Sequence, residues 1–153
     1  MSRPIAKDHD AKRVHILQIA ARVFADQGYA RASMSHVARE CGISKANIYH
    51  YYSSKDALLF DILDTYLSAL RDRIVGLELD GLEPSQQLGR VIVETLQSYE
   101  GMDHEHKIQT EGIPLMPDDQ QKILKSYQRD MVIHISDIVK SIAPDVFADD
   151  PRK

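Results

Sequence analysis

The chain is poor in the features that mark several protein classes. It has one cysteine, Cys41, so no disulfide can form within it and nothing in it requires an oxidising compartment. No run of about 18 apolar residues is present, which removes the signature of a membrane-spanning helix. The start, MSRPIAKDHDAKR, lacks the apolar stretch of a secretory signal. No segment reads as a strand, no repeat recurs and no low-complexity tract interrupts the chain. Nor is there an overall excess of positive charge, since 19 Lys and Arg against 23 Asp and Glu leave the 153 residues at −4. The expectation is an all-α, cytoplasmic protein that neither crosses nor binds a membrane. Its 43% apolar and 27% charged residues are ordinary for a folded domain and exclude a disordered chain.

The overall charge conceals a division. Residues 1–60 carry a net +4 and the remainder −8. Such a split suits a basic module that meets a polyanion, joined to an acidic module that does not. Chance clustering in a short chain is the other account of it.

What is present is helical periodicity. Ile16, Leu17, Ala20, Ala21 and Phe24 form an i, i+3, i+4 stripe over Ala11 to Ala25. Asp8 or Asp10 can cap its start, and Gly28 stands where it should stop. Ser33 can cap a short helix carrying Met34, Val37, Ala38 and Cys41. Gly42 breaks that helix, and Ser44 can cap a third with Ile48 and Tyr51 or Tyr52. Two short helices around a tight glycine turn outline a helix-turn-helix. A long helix is predicted from about Lys55 to Leu77, and another from Pro84 to Tyr99 with Leu88, Val91, Ile92, Thr95 and Leu96 inward. Residues 101 to 117 read as mixed: the polar MDHEHK segment, a short helix and a GIPLMP break. Asp118 opens a last long helix to about Ile142 with Leu124, Tyr127, Met131, Ile135, Ile138 and Ile142 inward, and Pro144 ends it.

The residues of the first third carry a family pattern. Gly28-Tyr29, Ser33-Met34-x-x-Val37-Ala38 and Gly42-Ile43-Ser44-Lys45-x-x-Ile48-Tyr49-x-Tyr51-Tyr52-x-x-Lys55-Asp56-x-Leu58-Leu59 follow in register without a gap. Over roughly residues 11 to 62 the chain resembles the TetR family of bacterial transcriptional repressors. The resemblance implies a helix-turn-helix DNA-binding domain at 1–54 and a helical ligand-binding and dimerisation domain at 55–153. It implies a ligand-responsive regulator, most simply a repressor, bound as a homodimer to a pseudo-palindromic double-stranded operator and released by a small molecule.

A recognition helix enters the major groove with its N-terminal side chains towards base edges. That brings Lys45, Ala46, Asn47 and His50 nearest the bases. Lys45 can donate to guanine, Asn47 can pair two-fold with adenine, and Ala46 admits close approach or touches a thymine methyl. Asn47 has a second reading as support for the Ser44 cap. Tyr49 and Tyr51 suit phosphate oxygens, although Tyr51 can equally be half-buried. Lys55 resembles the family's phosphate-contacting lysine. Ser33 and Ser35 lie at a helix start, where free N–H groups favour a phosphate. Tyr52 reads as core. His36, Arg31 and Arg39 are open to surface or phosphate-facing roles, and Cys41 reads as a small buried filler.

The acidic half diverges from the family pattern, and only its architecture is expected. A pocket is predicted among the helices at 58–77, 84–100 and 118–142, with Leu63, Tyr66, Leu70, Leu96, Tyr99, Tyr127 and Met131 as candidate liners. Plain core is the competing reading for each. The effector is apolar, aromatic or an acyl-thioester. Asp103-His104-Glu105-His106 has the residue types of a metal site but reads as a solvated loop, and His134 as surface; no metal and no cofactor are expected. The chain ends at Asp150-Pro151-Arg152-Lys153, short of the last two helices that build the family's dimer interface. The expectation is either a C-terminally incomplete chain or pairing through the 118–142 helix. No nucleophile–base pair suggests an enzyme. A helical protein–protein adaptor that docks through its N-terminal module is the alternative.

Overall fold

Three serines start three consecutive helices. A computed structural model describes the backbone of residues 3–147 and the side chains of 7–146, so the predicted tail at 150–153 lies outside the described residues. The helices are α2 (Met34–Cys41), α3 (Lys45–Tyr51) and α4 (Lys55–Val75). The hydroxyl oxygens of Ser33, Ser44 and Ser54 accept from the N–H groups of His36, Asn47 and Ala57 at 3.1, 3.0 and 3.0 Å. Each occupies one of the donors a helix start leaves free, a stabilisation of about 1 kcal/mol per cap. Between α2 and α3, Gly42 adopts φ +70°. There the N–H groups of Gly42 and Ile43 reach back to Arg39 and Ala38 at 3.1 and 3.0 Å. This is the paired closure that a left-handed residue makes at a helix end, and it turns the chain sharply into α3.

The first helix, α1 (Arg3–Gln27), begins earlier than its apolar stripe predicts. Neither Asp8 nor Asp10 caps it, because both lie inside it, and Asp8 instead pairs with Lys12 one turn on at 2.9 Å. The predicted stripe of α1 is buried, from Ile16 to Phe24. It packs with Val37, Ile48, Leu58, Leu59 and Ile62 in a single core. The helix-turn-helix is thus fixed to α4 by shared apolar burial rather than by a linker.

The acidic half consists of α5 (Pro84–Tyr99), α6 (Asp103–Gly112), a 3-10 turn at Ile113–Leu115, α7 (Asp118–Ile142) and α8 (Pro144–Phe147). α4 is the central element and packs against α1, α5, α6 and α7, while α6 also lies along α1. Gly112 permits that crowding, since a Cβ there would stand 3.2 Å from the Leu59 side chain. The MDHEHK segment forms the first turns of α6 rather than a solvated loop. Pro144 follows the end of α7 but opens a further short helix.

Burial in the acidic half is shallower than the periodicity predicts. Only Val91 of α5, and Leu124 and Ile138 of α7, are fully buried. Ile92, Leu96 and Ile142, all predicted inward, are 50%, 65% and 42% exposed. The apolar stripes of α5 and α7 are wider than the contact the two helices make with each other and with α4. Among the described residues there is no strand, and no helix is long and apolar enough to cross a membrane.

Candidate nucleic-acid interface

α3 has one fully buried residue, Ile48, and that anchor decides what the helix shows to solvent. Lys45, Ala46, Asn47, Tyr49 and His50 are all exposed. The Asn47 N–H completes the Ser44 cap while its side chain stays at the surface. Ser33 and Ser35 are exposed at the start of α2, and the Ser33 hydroxyl, already accepting from His36, keeps its own proton to donate. Tyr51 is half-buried, with its ring stacked on that of His9 at 4.7 Å between centroids. Tyr52 is core: it is 8% exposed, and its hydroxyl donates to Asp61 at 2.5 Å. Burial first, and then the Asp61 carboxylate, hold its phenol proton well above the usual range.

Asp61 also receives the Arg13 guanidinium, through Nε at 3.0 Å and Nη2 at 2.5 Å, and Arg13 touches the Thr65 hydroxyl at 3.3 Å. One carboxylate therefore ties α1, the end of α3 and α4 together in a charge-assisted fork. Lys55 makes a second bracket. Its ammonium donates to the carbonyls of Tyr29, Ala32 and Ala30 at 2.8, 3.0 and 3.5 Å, and lies 4.4 Å from the centre of the Tyr29 ring. The Tyr29 hydroxyl in turn donates to Asp56. The lysine that the family pattern assigns to a phosphate is thus committed to the loop before Ser33. Reaching a phosphate would require it to release its weakest partner, Ala30.

Around this face, His36 lies among Gln27, Arg39 and Glu40, at 3.1, 3.0 and 3.6 Å, and Arg22 reaches Glu40 at 3.2 Å. Arg31 is exposed. Cys41 is buried and its thiol is pushed up to about 11 by desolvation, so it remains a neutral filler.

One cavity lies against α1, outside the helices among which a pocket was expected. It has a volume of about 260 Å³ and is bounded by α1, α4, the end of α5 and the start of α6, with Leu17, Ile62, Tyr66, Leu70, Arg73 and Glu105 among its walls. Of the predicted liners, Tyr66 and Leu70 belong to it. Leu70 also borders a second cavity of about 230 Å³, with Tyr99 and Met131, nearer the predicted place. Leu96 lines a groove between α5 and α7. Leu63 lines none of these cavities; it is fully buried core. Tyr127 lines none of them either; its hydroxyl donates to Asp64 at 2.8 Å and its ring lies under Arg71. The walls missed were those from α1 and α6, for which the only sequence signal was Val14, an apolar residue off the buried stripe and 48% exposed.

Burial pushes the Tyr66 phenol up to about 12, with smaller contributions from Tyr99 and Glu105. Tyr66 Oη, Glu105 Oε2 and His134 Nε2 are buried without a hydrogen-bond partner among the described residues, while the His134 side chain as a whole is half-buried. His104 and His106 lie two residues apart on α6 and therefore on different sides of it. The His106 ring lies against Tyr99 at 5.0 Å. Among the described residues no group of three or more His, Cys, Asp or Glu is arranged to hold a metal ion.

Residues 16–62 match the model of bacterial regulatory proteins, tetR family. A TetR-family transcriptional regulator from Bordetella parapertussis is 31% identical and superposes with a TM-score of 0.83 over 90% of this chain and 71% of its own. The chain belongs to the TetR family. A second TetR-fold neighbour, AibR, was crystallised with isovaleryl coenzyme A and operator DNA; it has a TM-score of 0.73 at 20% identity, covering 89% of this chain and 74% of its own. YuxN of Bacillus subtilis, an uncharacterized HTH-type transcriptional regulator, is 38% identical over 69 residues, 45% of this chain. That match spans only 24% of YuxN. These TetR-family and helix-turn-helix relatives are transcription regulators rather than enzymes.

Proposed function

We propose that the chain is a ligand-responsive transcriptional repressor that binds a pseudo-palindromic operator as a dimer and is released by a small molecule. The observation that carries this is α3: Ile48 is anchored in the core while Lys45, Ala46, Asn47 and His50 stand exposed from its first residue onward. Ser33, Ser35, Tyr49 and Tyr51 surround that row and meet phosphates, and Lys55 holds the loop that presents Ser33. Two such helices, one per subunit, enter major grooves about 34–36 Å apart. The exposed apolar residues beside the α5–α7 groove supply a face for pairing. The module at 1–54 reads DNA and the remainder, 55–153, receives the ligand and the partner subunit, with α4 joining the two through one continuous core. The work is done in the cytoplasm, where the operator is.

The lever is α4 together with α6. α4 begins at the Lys55 bracket, carries Asp61 and Thr65 beneath Tyr52, and continues into the cavity at Tyr66 and Leu70. α6 places Glu105 in the cavity wall, and its Lys107 ammonium donates to the Ala25 carbonyl of α1 at 2.6 Å. A molecule that shifts either helix also shifts α1 and the end of α3, which is a coupling of the usual 1–3 kcal/mol.

Selection of binding sites from random duplexes tests the reading. The wild-type chain is expected to enrich a two-fold symmetric sequence. Lys45→Ala or Asn47→Ala is expected to lose discrimination at one base pair by roughly 1–3 kcal/mol while still binding. An adaptor that uses α3 to dock on proteins would enrich no sequence.

A further inference from the structure

We propose that Asp61 is a positioning residue for DNA reading: held from α1 by Arg13, its carboxylate fixes the angle of α3 through the Tyr52 hydroxyl. This rests on the reading of α3 as the helix that meets base edges. It adds a residue, away from the DNA-facing surface, on which that reading depends.

α3 is short and lightly anchored. Of residues 45–52 only Ile48 and Tyr52 are buried, and they stand one turn apart. Ile48 is purely apolar, and apolar contact is not directional, so it holds the helix in place without fixing its angle. Tyr52 adds the directional contact. Its N–H donates to the Ile48 carbonyl at 3.0 Å, so its backbone closes the last turn of α3, and its hydroxyl donates to Asp61 Oδ2 at 2.5 Å. A hydrogen bond weakens steeply when bent, which makes this bond an angular constraint. Lys45 and Asn47 lie on the other side of Ile48. At about 1.5 Å of rise per residue, Tyr52 is about 6 Å along the axis from Ile48 and Lys45 about 4.5 Å. For a helix that pivots at Ile48, a displacement of about 1 Å at Tyr52 carries about 0.75 Å to Lys45 in the opposite sense. That is enough to spoil a two-bond contact with a base edge.

Asp61 can impose the constraint because it is itself fixed. Arg13 holds both carboxylate oxygens, Nε on Oδ2 at 3.0 Å and Nη2 on Oδ1 at 2.5 Å, and the Thr65 hydroxyl donates to Oδ1 at 3.4 Å. The two-pronged grip sets the plane of the carboxylate, and with it the direction from which Oδ2 receives the Tyr52 proton. Stability alone does not account for the arrangement. The Arg13 and Asp61 side chains are 37% and 23% exposed, and at that exposure water screens the pair, so its contribution to folding is small. What the fork supplies is geometry, because α1, α4 and the reading helix meet at one carboxylate.

Tyr52→Phe tests this, since it removes the hydroxyl, keeps the buried ring and changes no charge. Asp61→Ala is the second variant and reads the same contact from its other side, with thermal melting to confirm the fold of each. Affinities are measured for the duplex that the wild-type chain enriches and for an unrelated duplex. Tyr52→Phe is expected to lower the preference for the enriched duplex about tenfold, with the affinity for the unrelated duplex and its salt slope unchanged. A merely structural loss reduces the folded fraction and weakens both duplexes alike, so it leaves that ratio where it was. In an Asp61→Ala background Tyr52→Phe is expected to add nothing, because both substitutions break one contact. An unchanged preference in either folded variant overturns the proposal, as do losses that multiply in the double variant. Either result leaves the regulator reading intact so long as the wild-type chain enriches a palindrome. If it enriches none, that reading falls, and the backbone amide shifts of Lys45 and Asn47 in the free protein judge the positioning alone. They move in Tyr52→Phe if the fork sets the angle of α3, and unchanged shifts overturn the proposal.

Discussion

Lys55 and Tyr66 show how a side chain's partners decide its role. The Lys55 ammonium faces three carbonyls of the loop at 29–32, so its removal frees that loop and exposes three acceptors. Lys55→Ala is expected to lower stability by about 1–2 kcal/mol in urea unfolding. It should also weaken DNA binding without changing the slope of affinity against salt, whereas a slope lower by about one would mean a direct phosphate contact. Tyr66 bears on alkaline stability. Its phenol lies near 12 in the folded chain against 10.0 when solvated, because burial disfavours the phenolate. The unfolded chain therefore loses the proton first. Stability from this group is whole below pH 10 and declines as pH rises towards 12. Tyr66→Phe should remove up to about 2 kcal/mol of that decline, read from melting curves across the range. The sequence marked both residues but not these roles. The partners of Lys55 lie 23 to 26 positions away, and no local pattern reports an acceptor at that distance.

Where the signals are local, the elements were legible. Ser33 and Ser44, read as caps, stand directly before helices with bonds that span three residues, and Ser54, which the sequence reading left unnamed, does the same for α4. Gly42 is the same kind of signal, since its φ of +70° is one that a side chain resists. A Cβ there would meet nothing within 4 Å, so Gly42→Ala isolates the backbone contribution. It is expected to lower the urea midpoint by the equivalent of about 1–2 kcal/mol while leaving the denaturant slope unchanged. Legibility failed where no stripe exists. α6 buries only Ile108 and Gly112, so its periodicity is nearly silent. The start of α1 was misplaced because Asp8 and Asp10 resemble caps, though the helix continues upstream of them. The cavity against α1 was not legible for a different reason: its walls come from α1, α4 and α6, and only their packing brings Leu17 and Glu105 together.

At the scale of the whole molecule, the fold divides into a deeply buried half and a shallow one. Ile92 and Leu96 border one stretch of the α5–α7 groove and Val132 another, with Thr95 and Ile135 common to both. All three of the named apolar side chains are at least half exposed. This is a face that a second copy can cover. The double variant Leu96→Glu/Val132→Glu is expected to shift the chain from dimer to monomer in sedimentation equilibrium, with its helix content unchanged. A dimer that persists would place the pairing surface elsewhere.

α5 runs for sixteen residues and buries a single side chain, Val91, while α4 buries eight. Opening events in a folded protein begin where the least apolar area must be exposed, so backbone amides of α5 are expected to exchange with solvent before those of α4 in a hydrogen-exchange measurement. The helix that forms one edge of the groove is thus expected to open before α4. Any partner that covers it would bury apolar area that the single chain leaves open, and slower amide exchange in α5 would itself become a measure of assembly.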